Sequence, residues 1–142
     1  MTHIDFYVLT NITTFEHGLE FACRVVNKAF RQGHGVYVHA GDEMQAHRLD
    51  QLLWQHPKES FIPHNLLEKG PAPVNIGYEN DSGAHADVML NLNSTVPSFF
   101  SRFTRVIELV LAEPEHKRIS REHYSFYKNQ GFPLKSHTIG QQ

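Results

Sequence analysis

A single cysteine, Cys23, is all the thiol chemistry this 142-residue sequence contains. It sits among Phe21, Ala22, Val25 and Val26 and reads as a buried small hydrophobe. No disulfide can close within the chain, which points to a reducing compartment. Long apolar runs are also missing, none approaching the roughly eighteen residues of a membrane span. The opening Met1-Thr2-His3-Ile4-Asp5 has neither the basic nor the apolar region of a secretory leader. A soluble, cytoplasmic protein without membrane contact is expected. An excess of positive charge is lacking too: 13 Lys and Arg stand against 15 Asp and Glu, a formal net charge of −2. A general nucleic-acid binder is basic overall, so that class is disfavoured.

What is present is the composition of an ordinary globular domain, 40% apolar and 20% charged. One domain over residues 1–142 is expected, able to bury about two-thirds of its unfolded surface. Its charge is unevenly placed. Residues 1–100 carry six Lys/Arg against eleven Asp/Glu, or −5, and residues 101–142 carry seven against four, or +3. The C-terminal third therefore faces an anionic partner.

Ile4–Leu9 is β-branched and aromatic, a buried first strand. Thr13 and Glu16 form a capping box, after which Phe15, Leu19, Ala22, Val26 and Ala29 recur at helical spacing until Gly33 and Gly35. Val36–Ala40 is a second strand. Asp42 with Gln45 starts a second helix with Met44, Leu49, Leu52 and Leu53 on its apolar side, ended by Pro57. A loop runs from Pro57 to Pro73. Strands follow at Val74–Tyr78 and Asp87–Leu92, then a short helix from Pro97 through Phe103. Val106–Leu111 is the last strand and Pro114 opens the last helix. This order implies an α/β three-layer sandwich around a mostly parallel sheet.

The phosphate-binding turn of such a sheet would be Thr10–Thr14, which holds no glycine and no lysine, so neither a Walker loop nor a dinucleotide fingerprint fits it. The 11 histidines are scattered without HExxH or Cys/His ligand spacing. No G-x-S-x-G elbow exists. Asp42 and Glu43 sit at a helix start, where the macrodipole explains them. No catalytic residue, metal site or cofactor is assigned.

Two signals survive. Lys117, Arg121, Tyr124 and Lys128 recur at steps of four, three and four, so a helix stacks them on one stripe before Gly131-Phe132 ends it. Three cations in register repel by a few tenths of a kcal/mol per pair. Ile119, His123 and Phe126 form a separate side for the core. The second signal is Arg48–Leu66, which holds the only tryptophan, Trp54, then Phe61 and Ile62 between prolines. Large apolar groups on a loop either meet a partner or pack on one another to pin the loop. On the residues alone, two other classes stay open. One is a small α/β metal- or nucleotide-dependent enzyme, with His39 and His64 as candidate metal ligands; the other is direct single-stranded DNA binding by the stripe and its aromatics.

The pattern RLDxxLWxxPxESFxPHNL at Arg48–Leu66 resembles the chi subunit of bacterial DNA polymerase III. Arg121–Phe132 and the opening Asp5–Leu9 are similar to the same family, so the likeness runs through nearly the whole chain. It implies a nucleotide-binding-like fold without a nucleotide site, in a non-catalytic accessory subunit of the clamp loader. It also implies a heterodimer with the psi subunit and a grip on the acidic C-terminal tail of single-stranded DNA-binding protein, with nucleic acid met only indirectly. By position, the tail site would use Val110, Lys117, Arg121, Tyr124, Lys128 and Gly131. Trp54, Phe61, Ile62, Pro63 and His64 would serve psi, or a helicase sharing that surface. Where the family places another cation after the tyrosine, this chain has Ser125, with Arg118 as the substitute at hand.

Overall fold

The computed structural model describes residues 1–55 and 62–140. Seven strands form one sheet: β1 (His3–Leu9), β2 (Val36–His39), β3 (His64–Leu66), β4 (Val74–Gly77), β5 (Val88–Asn91), β6 (Arg105–Val110) and β7 (Leu134–Ile139). Their order is β3-β4-β2-β5-β6-β1-β7 and every neighbouring pair is parallel. Three helices cover it: α1 (Phe15–Arg31), α2 (Glu43–Gln55) and α3 (Pro114–Asn129).

The period-two alternation of the strands sorts the core into two layers. Val36, Val38, Ile107 and Leu109 face Leu19, Ala22, Val26 of α1 and Leu49, Leu52 of α2. Ile4, Phe6, Tyr37, Val106 and Val110 face the other way and pack with Phe100, Phe103 and Tyr127 of α3. Both faces of the central strands are apolar, as a parallel sheet requires.

Local details depart from expectation. The N-cap of α1 is Thr14, whose hydroxyl accepts from the His17 amide at 3.2 Å, while Glu16 reaches across to Arg48 of α2. Asp42 and Gln45 do cap α2: the Asp42 carboxylate accepts the Gln45 amide and Gln45 accepts the Gly41 amide. Met44 does not join the apolar side; Ala46 does, and Met44 is exposed. The expected stop at Pro57 lies outside the described residues. The Pro57–Pro73 loop contains β3 and a 3-10 turn at Leu67–Lys69, and the helix expected after Pro97 is only a 3-10 turn at Phe100–Arg102.

Gly131 ends α3 as the spacing predicts. Its φ of +86° is left-handed, its amide reaches the Lys128 carbonyl at 3.0 Å, and the Phe132 amide reaches the Tyr127 carbonyl at 3.2 Å. These two bonds satisfy the last carbonyls of the helix and turn Phe132 back onto Phe100, 5.0 Å between ring centroids. Open space surrounds the position a Cβ would take, so the whole cost of a side chain is conformational. Gly131→Ala is expected to lower stability by about 1 kcal/mol, read as a shifted urea midpoint with unchanged slope.

Candidate peptide-binding face on the last helix

The orientation of α3 follows from a charge placed inside the sheet. Glu108 of β6 is 3% exposed and lies on the α3 side. One carboxylate oxygen accepts from His123 Nδ1 at 3.0 Å; the other accepts from the Tyr127 hydroxyl at 2.6 Å and from Asn91 Nδ2 at 2.9 Å. His123 Nε2 lies 2.8 Å from the Ser94 carbonyl. Both ring nitrogens thus meet acceptors, which only the imidazolium can satisfy by donating twice. Burial pulls the His123 pKa down, but the hydrogen bond and charge of Glu108 and the Ser94 carbonyl outweigh it, leaving the net value raised.

With Ser120, His123 and Tyr127 turned inward, the expected core side of Ile119, His123 and Phe126 is corrected. Ile119 is half-buried and Phe126 is exposed against Phe100, with rings 5.7 Å apart. The stripe occupies an arc of about 60° on one flank of the helix. Tyr124 leans onto Phe6 of β1, ring centroids 5.4 Å apart, and stays 37% exposed. Lys117, Arg121 and Lys128 are exposed, and none forms an ion pair among the described residues. Arg118 is different: Glu115 and Glu122 both hold it, each at 2.7 Å, so it is not a spare cation beside Ser125.

Val110 is nearly buried at the end of β6, in register with Val8 of β1. Phe6 and Val8 are members of this face that the sequence reading left out, although the alternation in Asp5–Leu9 puts both on one side. A cavity of about 350 Å³ lies nearby at the C-terminal end of the sheet, lined by Asp42, Asn91, Glu108, His116 and His123 among others. The stripe residues do not line it. This is where related folds hold nucleotides, yet Asp42 and Glu108 present negative charge there and the Thr10–Thr14 turn offers no glycine.

At the opposite sheet edge, Trp54 is 57% exposed and rests on His64 with ring centroids 4.3 Å apart. Pro63 is half-buried beside it. Ile62 and His64 are buried, Ile62 in the core and His64 against the Ile62 and Asp50 carbonyls. They shape this surface from beneath, leaving Trp54 as its exposed apolar group among the described residues. Phe61 lies outside the described residues. The metal alternative fails on geometry: His39 packs with Tyr37 and Phe99 on the α3 side, while His64 sits under α2. Among the described residues no cluster of three His, Cys, Asp or Glu could hold a metal ion, and no helix is long and apolar enough to cross a membrane.

Sheet and helices define a nucleotide-binding-type α/β domain that displays, on its last helix, a row of cations unpaired among the described residues. Residues 1–135 match the family described as DNA polymerase III chi subunit, HolC. The chain is 42% identical over 140 residues to the DNA polymerase III subunit chi of Pseudomonas aeruginosa, covering 98% of each. To the subunit chi of Escherichia coli it is 37% identical, covering 97% of this chain and 99% of the relative, and to that of Haemophilus influenzae 31%, covering 96% of each. The chain belongs to the DNA polymerase III chi family. It is a replication accessory subunit that works with other subunits of that polymerase.

The buried pair makes stability depend on pH in a defined direction. His123, raised in the folded chain, contributes fully below about pH 6.5 and loses that contribution as pH climbs through its folded value. His39 acts oppositely. Burial holds it down to about 4, so its cost appears as pH falls from about 6.5 toward that value. An NMR titration should place His123 above the ordinary histidine range in the native chain. In Glu108→Gln it should fall from that value, because only the Ser94 carbonyl and the charge of Glu122 then oppose burial.

Proposed function

We propose that this subunit is an adaptor, holding psi at the Trp54 edge and the acidic C-terminal tail of single-stranded DNA-binding protein on α3. The observation that carries the reading is the set of Lys117, Arg121 and Lys128, exposed, in register and unpaired among the described residues, around the half-exposed ring of Tyr124. Cations kept on one flank at a repulsive cost, while Arg118 on the next flank is neutralised by its own glutamates, suit an anionic polypeptide. The tail's terminal phenylalanine would lie against Tyr124, Val110 and Gly131, with Val8 at their side, contributing about 2–3 kcal/mol of burial. Its α-carboxylate would take the planar fork of Arg121, which matches two carboxylate oxygens better than an ammonium does. Aspartates upstream would meet Lys117 and Lys128 as screened surface pairs of about 0–1 kcal/mol each. Less the cost of ordering a flexible tail, the total corresponds to roughly micromolar affinity. Several tails along one DNA strand would then strengthen a grip that stays reversible at each contact.

The Trp54 surface supports the second half of the reading. An exposed indole pinned on a buried histidine is a rigid apolar anchor of the kind that dominates interfaces. A helicase that used the same anchor would displace psi.

Calorimetric titration with a synthetic acidic peptide ending in Asp-Ile-Pro-Phe should give binding that weakens with added salt and disappears when the phenylalanine is removed. Arg121→Ala should abolish that binding while leaving the urea midpoint unchanged; undiminished affinity would defeat the placement. Trp54→Ala is expected to weaken psi binding at least about tenfold with tail-peptide affinity intact. Bare oligonucleotide binding as strongly as DNA coated with its binding protein would favour direct nucleic-acid contact instead.

A further inference from the structure

Parallel sheets ordinarily have both faces covered, and here one corner is not. α1 packs over β2 and β5, and α2 over β3 and β4, so the α1 side of β1 and β7 has only the flank of α1 beside it. A groove of about 830 Å³ runs there. Its apolar floor is Tyr7, Phe21, Val25, Ile107 and Ile139. β7 forms the outer wall and is an edge strand, exposed along Lys135–Thr138. The carbonyls of Pro133 and Ile139 accept from Ile4 and Thr10 of the β1 side. By the alternation of a strand, the amides and carbonyls of Leu134, Ser136 and Thr138 therefore point outward, away from β1.

Charge decides what would fit. Arg24 and Lys28 project from α1 and Lys135 from β7; all three are exposed, line the groove and have no acidic partner among the described residues. Arg24 lies over the Phe21 ring at 5.4 Å. The groove's two acids are already engaged: Asp5 is held by Arg105 and His137, and Asp87 by His34 and the Gly35 amide. A lysine on an edge strand can simply guard it against aggregation. That explanation does not extend to an apolar floor with two further cations, unpaired among the described residues, on the facing helix.

We propose that this corner is a second peptide-docking site, in which an extended acidic segment of a partner protein adds as a strand to β7. Its backbone would pair with Leu134, Ser136 and Thr138. Alternate side chains would enter the groove, apolar ones onto Tyr7 and Ile139 and carboxylates onto Arg24, Lys28 and Lys135. The site lies on the opposite face of the sheet from α3 and does not depend on the tail-binding reading.

The probe is an eight-residue peptide that puts aspartate and isoleucine in turn on one strand face, with threonine at the positions between, amidated at its end so that it lacks the phenylalanine carboxylate. With saturating peptide, amide hydrogen exchange measured by NMR on the full chain should slow about tenfold or more at Ser136 and Thr138. Lys28→Glu with Lys135→Glu should weaken binding about tenfold, and Arg121→Ala should leave it unchanged. If the charge-reversed chain does not fold, raising salt on the native chain must weaken the protection. Absence of protection, shifts confined to α3, equal binding of a lysine-isoleucine peptide, or stronger protection by an oligothymidine would each overturn the proposal.

Discussion

Glu108 holds the arrangement together. A carboxylate in the middle of a parallel sheet is costly to desolvate, and it is tolerated because every oxygen has donors. Two of those donors, His123 and Tyr127, sit one helical turn apart on α3. An apolar contact would let the helix roll by tens of degrees with little loss, whereas a charged, bonded pair fixes its rotation. Once that rotation is fixed, the positions of Lys117, Arg121, Tyr124 and Lys128 are fixed as well. On the proposed reading, recognition on this helix depends on a buried interaction in which no stripe residue takes part.

The same constraint bears on the crevice where a nucleotide-type fold would bind phosphate. Glu108, its histidine and His116 line the cavity at the C-terminal end of the sheet. Burial pushes the His116 pKa down, and its Nδ1 accepts the Leu111 amide. The polar groups that could have faced a ligand are largely spent on fastening α3. The scaffold has kept its sheet and directed its display of charge to the outside of a helix.

Elements with strong patterns were legible in the sequence. The alternation in Ile4–Leu9, the apolar spacing of α1, and the Pro114 start and Gly131 stop of α3 each rest on local chemistry that tertiary contacts did not override. The two missed strands are both at sheet edges. β3 has three residues, and β7, Leu-Lys-Ser-His-Thr-Ile, is almost wholly solvated. An edge strand needs no apolar face, so periodicity carries no signal of it. The cationic stripe was legible because helical spacing alone places it. What Arg118 does was not, since its two glutamates at i−3 and i+4 compete with any outside anion only once the rotamers are known. Nor could spacing show that Ile62 and His64 turn inward, because a run between prolines has no period to read.

The charge asymmetry along the chain becomes an asymmetry in space because of strand order. β6, α3 and β7 are consecutive in sequence and all lie at the β1 edge of the sheet, so the excess positive charge of residues 101–142 is gathered at one end of the molecule. Most of the acidic first hundred residues build the other end, where Trp54 lies, while β1 and α1 reach the cationic one. Arg24 and Lys28 are exceptions that support the pattern, since α1 carries them to the same cationic edge. A field of one sign over one end raises the encounter rate of acidic molecules there, while the Trp54 end offers an exposed indole instead. On the adaptor reading proposed above, two kinds of partner would be held at once without competing, because different physical forces would select them at opposite ends of one sheet.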